Sequence, residues 1–450
     1  MMRNKYKLVC TSCAKVFEDD GYVLDCPNSH GPALLRTVYV SRNLECEEGS
    51  EGIYRYNCWL PTVHRLSKPS SVATFRSERL AVSVGLPNLW ITFSGYWPKR
   101  GARLATGTFK ELEAYGVLSR IPIPRLRIPV IASAGNTAAA FARACSRNRR
   151  PCLLIVPKDG MERMVFSSRL KTSVKIVCLT GGADYSDAIA LAEAVAKKPG
   201  FFLEGGVRNV GRRDGMATAL LHAVETVGHL PDYYFQAIGS GAGAIAAHEG
   251  AKRLVEDGRF GSKVPRLMLS QNSPFTPIHD SWKRGKREFI DLENGDDTRT
   301  RAKAILAMVL SNRRPPYSIP GGVFDVLTES HGDMFAVENA EVREAMELFD
   351  TCEGVDIDPA AAVALAALIK AVALRRIERD ATVLLHITGG GFRLRTEARM
   401  VAALPDLEIS FAELGSSSVV ERISGLFLEE PTSLRGRPAR ESVGSSSYSA

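Results

Sequence analysis

Short apolar runs recur along this chain, spaced widely enough for a helix to fit between most neighbours. Ile128–Ser133, Cys152–Val156, Val174–Leu179, Phe201–Leu203, Tyr234–Ile238, Leu267–Leu269 and Thr382–Ile387 are each nearly continuous in apolar residues. Runs of that length bounded by turn residues predict buried strands. Helical periodicity fills several gaps, at Thr137–Cys145, Ala244–Glu256 and Ala360–Arg376. The last is introduced by Asp358-Pro359, a good cap followed by a residue suited to the first helical turn. Alternating strands and helices predict an α/β fold around a mostly parallel sheet. No internal repeat is visible.

The two ends read differently. Residues 1–40 form a small polar module with Cys10, Cys13, Cys26 and His30. Residues 430–450 are rich in Ser and poor in apolar side chains, so they cannot offset the entropy of ordering and are expected to be a disordered tail. The α/β pattern occupies the region between, 41–429.

The totals narrow the classes. With 450 residues, 45% of them hydrophobic and 24% charged, the chain has the make-up of an ordinary globular protein of two or three domains. The longest apolar run, Ala360–Leu374, is interrupted by Lys370 and falls short of the roughly 20 residues a bilayer requires. Nine irregularly spaced cysteines and no leader pattern suggest reduced thiols and a cytoplasmic protein. The net charge of +8 is scattered rather than gathered into a stripe interleaved with aromatics. Small anionic substrates explain it as well as a nucleic acid would.

Three glycine-containing loops border predicted strands, where open α/β sheets bind ligands. In Thr106-Gly107-Thr108-Phe109-Lys110, a lysine behind a turn and beside Phe109 could be partly desolvated and nucleophilic toward an aldehyde. A solvated lysine at a helix start is the plainer alternative. In Ser133-Ala134-Gly135-Asn136-Thr137, N–H groups at a helix start and two hydroxyls suit a carboxylate, unless Asn136 simply caps the helix. In Gly239-Ser240-Gly241-Ala242-Gly243, glycines let backbone N–H groups approach a phosphate at a helix N-terminus. A dinucleotide site would also need an acidic residue at the end of the next strand, and Leu267–Leu269 runs into Ser270-Gln271-Asn272.

Cys10, Cys13, Cys26 and His30 have a number and spacing that suit structural zinc, against the alternative of a knuckle held by packing alone. His64, His222 and His331 have no partner at catalytic spacing, and core or surface roles are expected of them.

Taken in order, Thr108-Phe109-Lys110, Ser133 to Thr137, Gly239 to Gly243 and Thr388-Gly389-Gly390-Gly391 resemble the fold type II pyridoxal-phosphate enzymes. They are similar to the threonine synthases and, more closely, to the cysteate synthases of methanogenic archaea. The resemblance spans about 430 residues, all but the tail. It implies a tryptophan-synthase-β-like architecture, with two interleaved α/β subdomains holding pyridoxal 5'-phosphate between them. It implies that Lys110 bonds covalently to the cofactor, that Asn136 contacts its 3′ oxygen, and that Gly239, Ser240, Gly241, Ala242 and Gly243 hold its phosphate. Thr388 would meet the pyridine nitrogen, and this neutral hydroxyl favours elimination and replacement at Cβ. Ser133, Ala134, Gly135 and Thr137 would bind substrate.

The threonine synthases usually continue the lysine with Asp-Arg, whereas here Glu111-Leu112-Glu113-Ala114 follows. That departure, with His386-Ile387-Thr388, implies β-replacement on O-phospho-L-serine by sulfite, giving L-cysteate and phosphate in coenzyme M biosynthesis. Lys99, Arg100 and Arg103 could supply positive field for such anions. Neither a nucleic-acid nor a membrane partner is expected, and a homo-oligomer is. The alternatives are a threonine synthase acting on O-phospho-L-homoserine, and a catalytically silent binding protein of the same fold.

Overall fold

The apolar runs fold into two sheets. A five-stranded parallel sheet has the order Phe201–Leu203, Ile128–Ala132, Cys152–Pro157, Val174–Thr180, Leu407–Ser410. A six-stranded sheet has the order Asp333–Val337, Arg266–Asn272, Tyr233–Ala237, Val383–Ile387, Leu89–Phe93, Ala73–Arg76, parallel except for its last pair. The computed structural model of the chain describes residues 5–123, 127–290, 296–396 and 400–427; the expected tail at 430–450 lies outside them.

Helices on both faces explain why these strands lack polar alternation. Phe235 packs in the cluster built on Ala361 to Leu368 of the helix Pro359–Ala373. Its neighbour Tyr234 points the other way, into a cluster with Leu220 and Ile245 from the helices Val210–Val227 and Ala242–Asp257. Every residue of Tyr233–Ala237 is therefore buried, and truncating Phe235 to Ala would cost about 3–5 kcal/mol.

Each apolar run singled out in the sequence is a strand, within a few residues at its ends. Four core strands carried too weak a pattern to be placed: Ala73–Arg76, Leu89–Phe93, Asp333–Val337 and Leu407–Ser410. The last returns to the five-stranded sheet after the chain has finished the six-stranded one, pairing Val177 with Leu407. The helix begun by Asp358 ends at Ala373 rather than at the expected Arg376, with Arg375 in a left-handed conformation at φ 52°.

Residues 6–39 carry a small antiparallel sheet, with Tyr6–Cys10 between Val16–Phe17 and Leu35–Tyr39. Among the described residues no helix is long and apolar enough to cross a membrane.

Candidate active site

Four stretches distant in sequence line one cleft. Its wall includes Lys110, Asn136, the run Gly239 to Gly243, and Thr388, together with Ser133, Ala134, Gly135 and Thr137. Three of the loops follow the C-terminal ends of Ile128–Ala132, Tyr233–Ala237 and Val383–Ile387. Backbone bonds knit the lysine loop to the Thr388 loop: Phe109 N–H donates to the Thr388 carbonyl and Gly390 N–H to the Gly107 carbonyl, each at 2.9 Å.

Lys110 opens the helix Lys110–Arg120, yet it is not the solvated lysine that position suggests. Its side chain is 22% exposed, and Nζ lies 4.7 Å from the centre of the Phe109 ring and 3.4 Å from Glu113 Oε2. Burial pushes the amine below the usual lysine range; Glu113 works against that fall and Arg212 adds to it. Glu113 is wholly buried. Its Oε1 accepts from the Thr137 hydroxyl at 2.8 Å and its Oε2 from Arg212 Nη1 at 2.9 Å. Arg212 also donates through Nε and Nη2 to Glu204.

The Ser133 loop is arranged differently from the expectation that its hydroxyls face a ligand. Ser133 Oγ accepts from Gly135 N–H at 3.0 Å and Ala138 N–H at 2.9 Å, so it is Ser133 that caps the helix Asn136–Asn148. The Thr137 hydroxyl is committed to Glu113. The loop is left to present the Asn136 amide and the first N–H groups of its helix to the cleft, which still suits an anion.

Comparison with known proteins identifies the family. Residues 85–389 match the pyridoxal-phosphate dependent enzyme family. The cysteate synthase of Methanosarcina acetivorans is 42% identical over 407 residues, covering 90% of this chain and 97% of that one. That of Methanoculleus marisnigri is 42% identical over 435 residues, covering 96% of this chain and all of its own. This chain belongs to the cysteate synthase family of pyridoxal-phosphate dependent enzymes. The Methanoregula boonei member is 44% identical, covering 93% of this chain and 97% of its own. Among solved structures, maize serine racemase superposes with a TM-score of 0.56 at 18% identity, covering 72% of this chain and 88% of that one. Threonine deaminase isoform 2 from Solanum lycopersicum superposes with a TM-score of 0.51 at 15% identity, covering 80% of this chain and 88% of that one. These two likenesses are of fold.

The cleft fits the family's cofactor on its own geometry. Gly241 adopts φ 81°, and a Cβ there would stand 2.3 Å from Val323 Cγ2. A Cβ on Gly243 would stand 2.4 Å from Gln236 Nε2 and 3.0 Å from Phe109 Cε2. Only glycine fits at these positions, and the start of the 16-residue helix Ala242–Asp257, where the Ala242 N–H has a long 3.4 Å bond to Ser240 Oγ, is a favourable place for a phosphate. The Thr108 hydroxyl, buried on the cleft wall, has no hydrogen-bond partner among the described residues. A polar atom so placed normally meets a ligand or water. The dinucleotide alternative finds no carboxylate at the next strand end, where Asn272 is spent on the Val337 carbonyl and Ala307 N–H.

Several residues in the cleft wall or packed behind it escaped the sequence reading. Glu113 lies three positions after Lys110 on one helix face, a spacing that could have been noticed. Tyr234 and Gln236, polar positions two apart in an apolar strand, were also legible as one polar face. They belong to a buried chain in which His386 bonds Ser94 Oγ at 2.8 Å through Nε2 and the Tyr234 hydroxyl at 2.7 Å through Nδ1. Burial pushes His386 down to about 3, so the ring stays neutral. Arg212 had no local pattern to reveal it. His64, His222 and His331 do not line the cleft. Neither do Lys99, Arg100 and Arg103; Arg100 instead stacks over Phe75 at 4.1 Å, and among the described residues the cations of the cleft wall are Lys110 and Arg212.

Away from the cleft, the ligand atoms of Cys10, Cys13, Cys26 and His30 lie within 4.8 Å of one another. Cys13 Sγ is 3.6 Å from Cys26 Sγ, and Cys10 Sγ is 3.4 Å from His30 Nε2. His30 Nδ1 faces the Gly31 carbonyl at 2.6 Å, which leaves Nε2 turned toward the thiols.

Proposed function

We propose that this protein is a cytoplasmic cysteate synthase that replaces the phosphate of O-phospho-L-serine with sulfite, releasing L-cysteate and inorganic phosphate. The observation that carries the reading is the meeting of Lys110, Asn136, Gly239 to Gly243 and Thr388 in one cleft of a chain that belongs to this family. Pyridoxal phosphate, when bound, supplies the electron sink that makes bonds at Cα and Cβ labile. The helix N-terminus at Gly241 to Gly243 would hold its phosphate, Asn136 its 3′ oxygen, Thr388 its ring nitrogen and Lys110 its aldehyde carbon.

The chain's own groups then have separate tasks. The open N–H groups of the Asn136 helix would orient the substrate carboxylate. The Lys110 amine, kept below the usual lysine range, would take the Cα proton as general base. Sulfite would then add at Cβ where phosphate has left. The test is incubation of the pure protein with pyridoxal phosphate, phosphoserine and sulfite, with cysteate and phosphate measured together. Equal yields of both support the reading. Threonine formed from homoserine phosphate, with no cysteate from phosphoserine, would replace it with the threonine synthase reading.

Cys10, Cys13, Cys26 and His30 would hold a structural zinc. Zn–S bonds of about 2.3 Å in a tetrahedron set sulfurs about 3.8 Å apart, and the cluster is already close to that size. Four protein ligands leave no open position for chemistry. Metal analysis of protein purified without chelators checks this: about one zinc per chain in the wild type, and none in a Cys10→Ser/Cys13→Ser variant, is the expected result.

A further inference from the structure

We infer that Glu113 is a positioning residue of the reaction, fixing the Lys110 amine at the cleft wall and favouring its protonated form as the Cα proton arrives. The inference rests on Lys110 being the reacting amine. Glu113 is a charged side chain with no exposure at all, on a helix face where an apolar residue would pack without the penalty of burying charge. Its carboxylate cannot turn freely. The Thr137 hydroxyl holds one oxygen and Arg212 the other, so that Oε2 is shared between Arg212 at 2.9 Å and Lys110 at 3.4 Å. Three elements thus fix one anion against one amine: the Lys110 helix, the Asn136 helix and the Val210 helix.

The remaining charged and titratable groups around the amine do not take over this task. Arg212, bonded to both Glu113 and Glu204, pushes the Lys110 amine down, and Glu204 opposes it less strongly than Glu113 does. Tyr185 lies beside the same Arg212, Glu204 and Glu113 cluster, where burial pushes its phenol up and keeps it neutral, and Asp358 on the cleft wall is paired with Arg163 at 2.9 Å. Among the described residues, Glu113 is the carboxylate in direct contact with Nζ.

The chemistry gives that contact a direction. In the proposed reaction the Cα–H bond breaks and its proton goes to Nζ. The electron pair left on Cα closes toward Cβ as the Cβ–O pair leaves with phosphate. Lys110 is neutral before this step and cationic after it, so a fixed anion beside it stabilises the later state more than the earlier one. The preorganised carboxylate needs no reorientation when the charge appears.

The test uses the full-length holoenzyme and the variants Glu113→Gln and Glu113→Asp. The first readout needs no substrate: the pH midpoint of the bound cofactor's visible absorption, which reports the nitrogen that joins it to Lys110. Glu113→Gln is expected to lower that midpoint by about one unit or more, with Glu113→Asp between it and wild type. The second readout is turnover, where kcat should fall by about 10–100-fold with little change in KM. An unmoved midpoint in variants that keep normal melting and cofactor content would overturn the inference. If Glu113→Gln does not fold, Glu113→Asp keeps an anion for Arg212, and a smaller shift in the same direction is required of it. Because the absorption titration involves neither phosphoserine nor sulfite, it stands or falls apart from the cysteate synthase reading.

Discussion

Arg120 grips Asp19 with two parallel bonds: Nε and Nη2 each donate to a carboxylate oxygen at 2.7 Å, and both side chains are almost wholly buried. Arg120 lies on the helix that begins with Lys110, and Asp19 belongs to the small N-terminal sheet region. Arg120 Nη1 reaches on to Asn209 Oδ1 at 2.9 Å, the residue that caps the Val210 helix bearing Arg212. The N-terminal module that carries Cys10, Cys13, Cys26 and His30 is therefore joined through a buried side-chain link to the helix that carries the candidate catalytic lysine.

Replacing Asp19 by Asn leaves the Arg120 charge buried without its partner, which should cost about 3–5 kcal/mol in denaturant unfolding. The pH dependence follows from the same pair. Against the upward push of burial, Arg120 holds the Asp19 carboxyl below its usual range. Its contribution is fully present above the unfolded carboxylate pKa of about 3.9, and it is lost as pH falls through the lower folded value. Asp19→Asn should lack this component of acid destabilisation while remaining less stable than wild type at neutral pH.

Lys110→Ala should abolish the covalent attachment of the cofactor, because no other lysine lines the cleft among the described residues. Borohydride treatment followed by peptide mapping should place the fixed cofactor on Lys110 in the wild type and nowhere in the variant. The melting temperature should stay close to normal or rise, since removing a partly buried amine relieves a desolvation cost. Label on another lysine of the wild type would displace Lys110 from the mechanism.

Gly241→Ala should weaken cofactor binding by at least about tenfold, measured by titrating absorption at low cofactor concentration. A left-handed conformation costs a residue with a Cβ about 1–2 kcal/mol, and the added methyl would also meet Val323 Cγ2 at 2.3 Å. Val323→Ala in the same chain should recover part of the loss, since it removes the clash and leaves the backbone strain. A double variant no better than the single one would locate the whole effect in the backbone.

His386 should make the protein sensitive to mild acid. Its folded pKa is pushed down to about 3, so between about pH 6.5 and 3 the unfolded chain binds a proton that the folded one refuses. Stability from this residue is complete above about 6.5 and falls by about 1.4 kcal/mol per pH unit below it. Urea titrations at a series of pH values should show that slope reduced in His386→Gln. An unchanged slope would mean that the ring is protonated in the folded state and that the bonds to Ser94 and Tyr234 are arranged otherwise.

The α/β class, most of the core strands and the loops that meet at the cleft were all readable along the chain. Those features are written locally: an apolar run such as Cys152–Val156 must be buried whatever surrounds it, and a glycine run before a helix opens an N-terminus wherever it falls. The spacing of Cys10, Cys13, Cys26 and His30 was legible for the same reason. Glu113 beside Lys110 was legible in the same way, from its spacing, but the groups that hold Glu113 and bury the pair were not. Arg212 and Glu204 lie about a hundred positions from it, and nothing near them in the chain distinguishes a buried arginine from a solvated one. The same is true of Asp19 against Arg120, and of Ser133, whose hydroxyl turns back to cap its own helix. Burial and pairing of charge depend on contacts between distant segments, so the amine's surroundings are settled only when both sheets and the N-terminal module have packed.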